Sequence, residues 1–285
     1  MNVHTLNDIS NPTNNNIYRP ANSNREISQT QDNQLFSRSL YQWKTFSFFI
    51  LIINLIFYII ELILYYIVYK DEKSFNCILY LMGAKYTPAI VHNFQIWRFL
   101  TPVLLHASYL HIMMNSIQIG LFSFYLEKTL GTIRLMLLYF GAAIYGNIFS
   151  AMANTELLGV GASGGIMGLS GLLLLLLFIS FHKMRNDEKR FFAYFALSTF
   201  LNLFISGISK DGNKVDNFAH FGGFIFGAFI SIFFLKEKID YGYFSVSKIN
   251  KIKFVFGALL ILIPVIATVY LCTAKISSNF LKSSC

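Results

Sequence analysis

The sequence predicts an all-α polytopic membrane protein, and two observations carry that prediction. Only 13% of its 285 residues are charged and 55% are hydrophobic, whereas a soluble domain carries about a quarter charged residues. The apolar residues are also gathered into runs of the roughly 17–25 residues that cross a bilayer. Because backbone groups in hydrocarbon must be paired within their own segment, each run is expected to be a helix.

Seven such runs follow one another with short connections, so we expect one bundle rather than several domains. The first 45 residues are polar and rich in asparagine, which is typical of a disordered tail. Residues 275–285 are expected to form a short C-terminal tail. The runs that make up the transmembrane domain, 46–274, are 46–69, 104–126, 132–153, 157–181, 191–208, 217–235 and 254–274.

The net charge of +9 is explained by membrane orientation rather than by a nucleic-acid partner. If the N-terminus is cytosolic, 15 of the 23 Lys and Arg residues fall in cytosolic segments and eight fall on the opposite side. The positive-inside rule favours this orientation. It makes residues 1–45 a cytosolic tail and, after seven spans, places the C-terminus outside.

The three cysteines, Cys77, Cys272 and Cys285, show neither a Cys-x-x-Cys motif nor the spacing of metal ligands. A disulfide framework is therefore not expected, and we predict no metal and no cofactor. Cys77 and Cys285 both fall outside, so one bridge between them is possible, although nothing in the sequence supports it.

Polar side chains inside the runs indicate a functional site, because they are costly in a membrane. His111 and Asn115 are four residues apart in the second run and share a helix face. His106 reaches the same side only if it lies above the regular helix. Ser163 lies about six residues into the fourth run, or roughly 9 Å of helix, and His220 lies near the start of the sixth. These runs enter the membrane in the same direction, so the side chains are expected at one depth near the outer surface.

This set fits acyl transfer. Serine is a weak nucleophile until a base takes its proton, and His220 can be that base. Asn115, His111 and the backbone N–H of Ser163 can donate to a developing oxyanion. Small residues at 164, 168 and 171 and at 223, 227 and 231 predict that the fourth and sixth helices pack closely, which carries His220 to Ser163.

Three acidic residues are given structural interpretations. Glu61, within the first run, is expected to be a protonated acid bonded to a neighbour. Glu127 lies at the cytosolic end of the second run, far from Ser163. Asp216, four residues before His220, could orient it as a triad acid, but a helix N-cap is the favoured interpretation.

Several motifs, in order and on the right runs, resemble those of the rhomboid family of intramembrane serine proteases. The resemblance covers roughly residues 46–274. The motifs are WR at 97–98, HASYLHIMMN at 106–115, EKTLG at 127–131, GASG at 161–164 and AHFGGFIFG at 219–227.

The resemblance implies a six-helix rhomboid-like core with one added C-terminal transmembrane helix, and a Ser–His dyad without an essential acid. It makes Ser163 the nucleophile and His220 the base, with His111 and Asn115 at the oxyanion hole and Gly161 and His106 in support. Many members have a tyrosine four residues after the serine, packed against the histidine. Met167 occupies that position, and a thioether can also pack against an imidazole.

The bias toward Asn, Lys, Ile, Phe and Tyr resembles that of proteins from an AT-rich genome, which favours an apicomplexan-parasite member of the family. Those relatives are implicated in shedding transmembrane adhesins. The expected partners are therefore single-span membrane proteins, possible surface adhesins among them, and the lipid bilayer, in the plasma membrane or a secretory-pathway organelle. The expected reaction is cleavage near the outer or luminal side.

Two alternatives stay open at this point. One is an inactive rhomboid-like protein that binds transmembrane clients, which the intact Ser163 and His220 disfavour. The other is a polytopic transporter, which the lack of internal sequence symmetry disfavours.

Overall fold

The computed structural model describes residues 45–69, 74–180, 186–207, 215–234 and 246–274, together with Ile276 and Cys285. The predicted N-terminal tail lies outside the described residues except for Thr45, and so does most of the predicted tail 275–285. The described chain is helical, with an isolated β-bridge and no strand among these residues. The α-helices are α1 Phe46–Ile63, α2 Phe75–Leu81, α3 Thr87–Asn93, α4 Tyr109–Gln118, α5 Phe124–Leu130, α6 Thr132–Ala153, α7 Ser163–Ser180, α8 Asn186–Gly207, α9 Asn217–Phe234 and α10 Val246–Thr273.

Helix is found in each of the seven predicted runs. Four segments of the described chain are long and apolar enough to cross a membrane. A π-helical turn, Leu64–Val68, extends α1, and another, Ile119–Ser123, joins α4 to α5. The four segments are Phe46–Val68, Thr132–Ala153, Asn217–Phe234 and Asn250–Thr273, and Ser163–Phe178 is a shorter apolar helix.

Two of the predicted runs begin later in the structure than the hydrophobicity suggested. Residues 101–104 form a 3₁₀ turn, and α4 begins only at Tyr109, because the Ser108 side chain caps it by accepting from the backbone N–H of His111 at 3.2 Å. Residues 157–162 are likewise not helical, and Ser163 is the first residue of α7. The expectation that Ser163 lies six helical residues inside its run was therefore wrong, and the roughly 9 Å depth calculated from those residues loses its basis.

The centre of the bundle is formed by α6, α7 and α9, whose backbones touch. A Cβ on Gly223 would overlap the carbonyl oxygen of Gly164, and one on Gly227 would overlap that of Gly168. Gly146 of α6 approaches α9 equally closely, at the carbonyl oxygen of Ala219. The predicted packing of the two glycine faces is thus confirmed, and small residues are what permit it.

Glu127 joins the start of α1 to the end of α5. Its carboxylate accepts from the backbone N–H groups of Phe46 and Ser47, at 2.8 and 3.0 Å, and from the hydroxyls of Ser47 and Thr132, both at 2.7 Å. These bonds satisfy orphan donors at a helix N-terminus. The structural interpretation of Glu127 is confirmed.

The segment between α1 and α4 is organised around the buried guanidinium of Arg98, in the WR pair. Its Nη1 donates to the carbonyl oxygens of Tyr80 and Ala84, both at 2.8 Å, and its Nε donates to Gln95 Oε1 at 2.6 Å. Asn147 of α6 donates to the carbonyl oxygen of Phe99 at 2.9 Å. These bonds tie the segment to the core of the bundle.

A disulfide joins Cys77 of α2 to Cys285, with their Cα atoms 5.4 Å apart. Nearby, His92 Nε2 lies 3.0 Å from the carbonyl oxygen of Ile276. The bridge that the sequence left possible but unsupported is therefore present. It places the C-terminal residue beside the segment that follows α1.

Candidate active site

The side chains of Ser163 and His220 are in contact, with Ser163 Oγ 2.8 Å from His220 Nε2. Ser163 is the first residue of α7, and His220 lies in the first turn of α9. The close packing of α7 on α9 through their glycines brings these two helix starts together. A serine hydroxyl bonded to an imidazole is the arrangement that activates a serine nucleophile.

Asp216 caps α9 and does not extend the pair to a triad. Its Oδ1 accepts a hydrogen bond from the backbone N–H of Ala219 at 3.1 Å. Its carbonyl oxygen accepts a hydrogen bond from the backbone N–H of His220, also at 3.1 Å. Within the part of the chain that the structure describes, His220 Nδ1 has no hydrogen-bond partner. The N-cap interpretation of Asp216 is confirmed.

Gly161 presses the loop before Ser163 against the ring of His111. Its φ of +122° is a backbone conformation that residues with side chains rarely adopt. A Cβ at this position would lie 2.7 Å from both Cε1 and Nε2 of His111. The loop is held here by a bond from the N–H of Gly161 to the carbonyl oxygen of Pro102, at 2.8 Å.

Asn115 lies one turn beyond His111 on α4, and its side chain is buried. Neither its amide nitrogen nor its amide oxygen has a hydrogen-bond partner among the described residues. A buried polar group of this kind is costly unless something is bound to it. The amide is therefore free to donate to a group that enters the site.

His106 lies before the start of α4, as the sequence required for it to reach this side. It is fully buried, and its ring centroid is 5.2 Å from that of His111. Its backbone N–H donates to Glu61 Oε1 at 3.1 Å, so Glu61 is bonded to a neighbour as predicted. The ring of His106 therefore packs edge-on against the ring of His111.

Lys85 lies just outside this site and was not predicted from the sequence. Lys85 is fully buried, and its Nζ donates to the carbonyl oxygen of Asn154 at 3.0 Å. The same nitrogen lies 3.9 Å from Asp216 Oδ2, an oxygen that also accepts from the hydroxyl of Ser150. Burial lowers the pKa of Lys85 to about 8, while the nearby Asp216 raises it. A lone lysine in the apolar stretch LMGAKYTPAIV was the available signal.

In the described parts of the chain, no three His, Cys, Asp or Glu side chains are close enough to hold a metal ion. The expectation of a reaction without metal or cofactor stays a prediction. The chemistry available from these residues is nucleophilic attack with proton transfer and oxyanion stabilisation.

Comparisons with known proteins find similar chains in one family. The family model described as "Rhomboid domain" matches residues 93–237, which include all of the site residues above from Arg98 to His220. The chain is 33% identical over 214 residues to "Rhomboid-like protease 3" of Toxoplasma gondii, covering 71% of this chain and 78% of the relative. It is 34% identical to "Rhomboid-like protease 1" of the same organism, covering 57% and 55% of the two chains. It is 33% identical to "RHOMBOID-like protein 1" of Arabidopsis thaliana, covering 58% and 41%.

Proposed function

Because the chain belongs to the rhomboid family, we propose that it is an intramembrane serine protease in which Ser163 and His220 form the catalytic dyad. The protein is an integral membrane protein, and Toxoplasma gondii proteins are among its relatives. The observation that carries the proposal is the 2.8 Å contact between Ser163 Oγ and His220 Nε2.

The reaction begins when His220 Nε2 takes the proton of Ser163 and Oγ attacks the carbonyl carbon of a peptide bond. The oxyanion that forms accepts hydrogen bonds from the amide of Asn115, from His111 and from the backbone N–H of Ser163. His220 then gives its proton to the leaving amine as the C–N bond breaks. Water, activated by the same imidazole, hydrolyses the resulting ester and restores the serine.

The dyad is tested with purified protein and a panel of transmembrane peptides. Ser163→Ala and His220→Ala should each lower cleavage to the background level, and the double variant should resemble either single one because the pair acts as a unit. Ser170→Ala is the matched control, since Ser170 is buried on the same helix and its hydroxyl donates to the carbonyl oxygen of Ile166. Substantial cleavage by Ser163→Ala would refute the dyad, and peptide binding without cleavage by the wild type would favour an inactive client-binding protein.

The substrates we propose are single-span membrane proteins, with surface adhesins as one candidate class, in the plasma membrane or a secretory-pathway organelle. A transmembrane helix hides its carbonyls in its own hydrogen bonds, so the segment must unwind before Ser163 can reach one. Gly, Pro or polar residues make unwinding easier. The crowded loop at Gly161 favours a small residue before the cut.

Ser163 and His220 lie at the starts of α7 and α9, the helix ends that the sequence predicts to face outside. We therefore expect cleavage at small residues in the outer third of the substrate's span, with release of the ectodomain outward. Mass spectrometry of products from a series of peptides with and without helix breakers measures both the rate and the position. An unchanged rate after replacement of the breakers by leucine, or cuts in the cytosolic half, would contradict this substrate model.

A further inference from the structure

Lys85 pairs with the loop that leads to the nucleophile. Its backbone N–H donates to the carbonyl oxygen of Gly159 at 2.8 Å, and the N–H of Gly159 donates back to the carbonyl oxygen of Lys85 at 2.9 Å. Among the described residues this is an isolated antiparallel bridge. Gly159 is four residues before Ser163, so the bridge fixes the chain just ahead of α7.

The side chain of Lys85 reaches the helix that carries the base. Its ammonium lies 3.9 Å from Oδ2 of Asp216, the N-cap of α9, and Asp216 is four residues before His220. The ammonium also donates to the carbonyl oxygen of Asn154 at 3.0 Å, and Ser150 of α6 donates to the same carboxylate oxygen. The side chain of Lys85 is fully buried and that of Asp216 is 11% exposed. Both make further hydrogen bonds, which an ion pair removed from water needs to hold its geometry.

Gly159 also packs directly against the side chains of Lys85 and Asp216. A Cβ on Gly159 would lie 3.0 Å from Lys85 Cε and 3.1 Å from Asp216 Oδ2. Gly159, Lys85 and Asp216 therefore meet at one packed point, although they belong to three separate segments of the chain.

We propose that Lys85 is a positioning residue that sets the separation of Ser163 from His220, through its backbone on the nucleophile side and through its ammonium and Asp216 on the base side. This inference rests on the proposed function of the dyad. A lysine is needed because the contact to Asp216 is charged, whereas the bridge to Gly159 uses only the backbone. An apolar side chain of similar length would keep the backbone bridge to Gly159 and lose the charged contact to Asp216.

The test uses the full-length protein in detergent, with a fluorophosphonate probe that reacts with activated serines and with a cleavable transmembrane peptide. Lys85→Met should slow labelling of Ser163 and lower kcat by roughly 10- to 10²-fold, the cost of misplacing reacting groups by about 1 Å. KM should be unchanged, because the contacts of Lys85 are with Gly159, Asn154 and Asp216, inside the protein. Asp216→Asn, which keeps a capping side chain, should have the same effect, and the double variant should be no worse than the more impaired single one.

Lys251→Met is the matched control, because Lys251 is exposed on α10, and it should label at the wild-type rate. Wild-type labelling rates in folded Lys85→Met would overturn the inference, as would a change confined to KM. If Lys85→Met does not fold, Asp216→Asn alone serves instead, since it removes the charge from the same contact while keeping a side chain that can cap α9, and normal labelling in that variant would overturn the inference. Failure of wild-type protein to label at Ser163 would instead refute the dyad itself.

Discussion

Asn115 is the residue for which burial and hydrogen bonding most directly suggest a role in the reaction. Its amide is buried on α4 and finds no partner among the described residues. Asn115→Ala should lower kcat by about 10²-fold, as loss of one oxyanion donor does, while KM changes much less.

Steady-state kinetics on a transmembrane peptide measure both parameters. Gln118→Ala is the control, since Gln118 is another buried amide on α4 and its Nε2 donates to the hydroxyl of Ser198 on α8. Normal kcat with weak binding in Asn115→Ala would mean that Asn115 only holds helices together.

Lys85 has a second consequence, for stability. Burial lowers its pKa from the ordinary value of 10.5 to about 8, so between these pH values the unfolded chain holds a proton that the folded protein has lost. The free energy of unfolding therefore rises with pH across this window, by up to roughly 3 kcal/mol from this residue. Below pH 8 the lysine is protonated in both states and its burial cost is fully present.

Unfolding in detergent between pH 7 and 10.5, for wild type and Lys85→Met, tests this effect. The wild type should gain stability relative to the variant as the pH rises through the window. Parallel stability curves would show that the ammonium of Lys85 titrates normally.

At the scale of helices, the active site depends on how closely α7 and α9 approach. Gly227→Ala would drive a Cβ into the carbonyl oxygen of Gly168, which is backbone and cannot rotate away. The helices must separate, so we expect a loss of about 1–3 kcal/mol in stability and at least roughly tenfold in turnover.

Gly120→Ala is the control for this substitution, because nothing lies within 4 Å of the Cβ it would add. Thermal unfolding and peptide cleavage should be close to wild type in this variant. A Gly227→Ala protein with wild-type stability would contradict the backbone contact.

The contact between α7 and α9 also shows which features could be predicted from the sequence. The periodic glycines of α7 and α9 and the His111–Asn115 spacing are local patterns, and each is a direct consequence of helix geometry. The start of α7 was missed because residues 157–162 are apolar, yet Gly159 is held out of the helix by its bridge to Lys85. Such a bridge joins distant parts of the chain and leaves no mark on local hydrophobicity.

For the molecule as a whole, the disulfide between Cys77 and Cys285 requires that these two residues lie on the same side of the membrane. The sequence could not favour this bridge, because the path by which the chain after α10 reaches α2 depends on tertiary packing. A disulfide persists in an oxidising compartment, so both cysteines should face outside. The bridge should be visible as a linked peptide in a non-reducing digest, and Cys272→Ser should leave it intact, since Cys272 is a free, exposed thiol.

Membrane sidedness can be measured by cysteine modification in sealed cells that carry Cys272→Ser. After treatment with a membrane-impermeant reductant, an impermeant maleimide should modify Cys77 and Cys285 from outside. A cysteine introduced by Ser28→Cys should be modified only after permeabilisation, because the excess of Lys and Arg predicts a cytosolic N-terminus. Residues 28 and 285 must then lie on opposite sides of the membrane, which requires an odd number of spans between them. Ser163 must open toward the side of Cys77, because Lys85 ties the segment after Cys77 to the loop before Ser163. Modification of Cys285 only after permeabilisation would contradict this topology, because it would remove one span, most simply α10, and would put Cys285 on the opposite side of the membrane from Cys77, where the disulfide could not form.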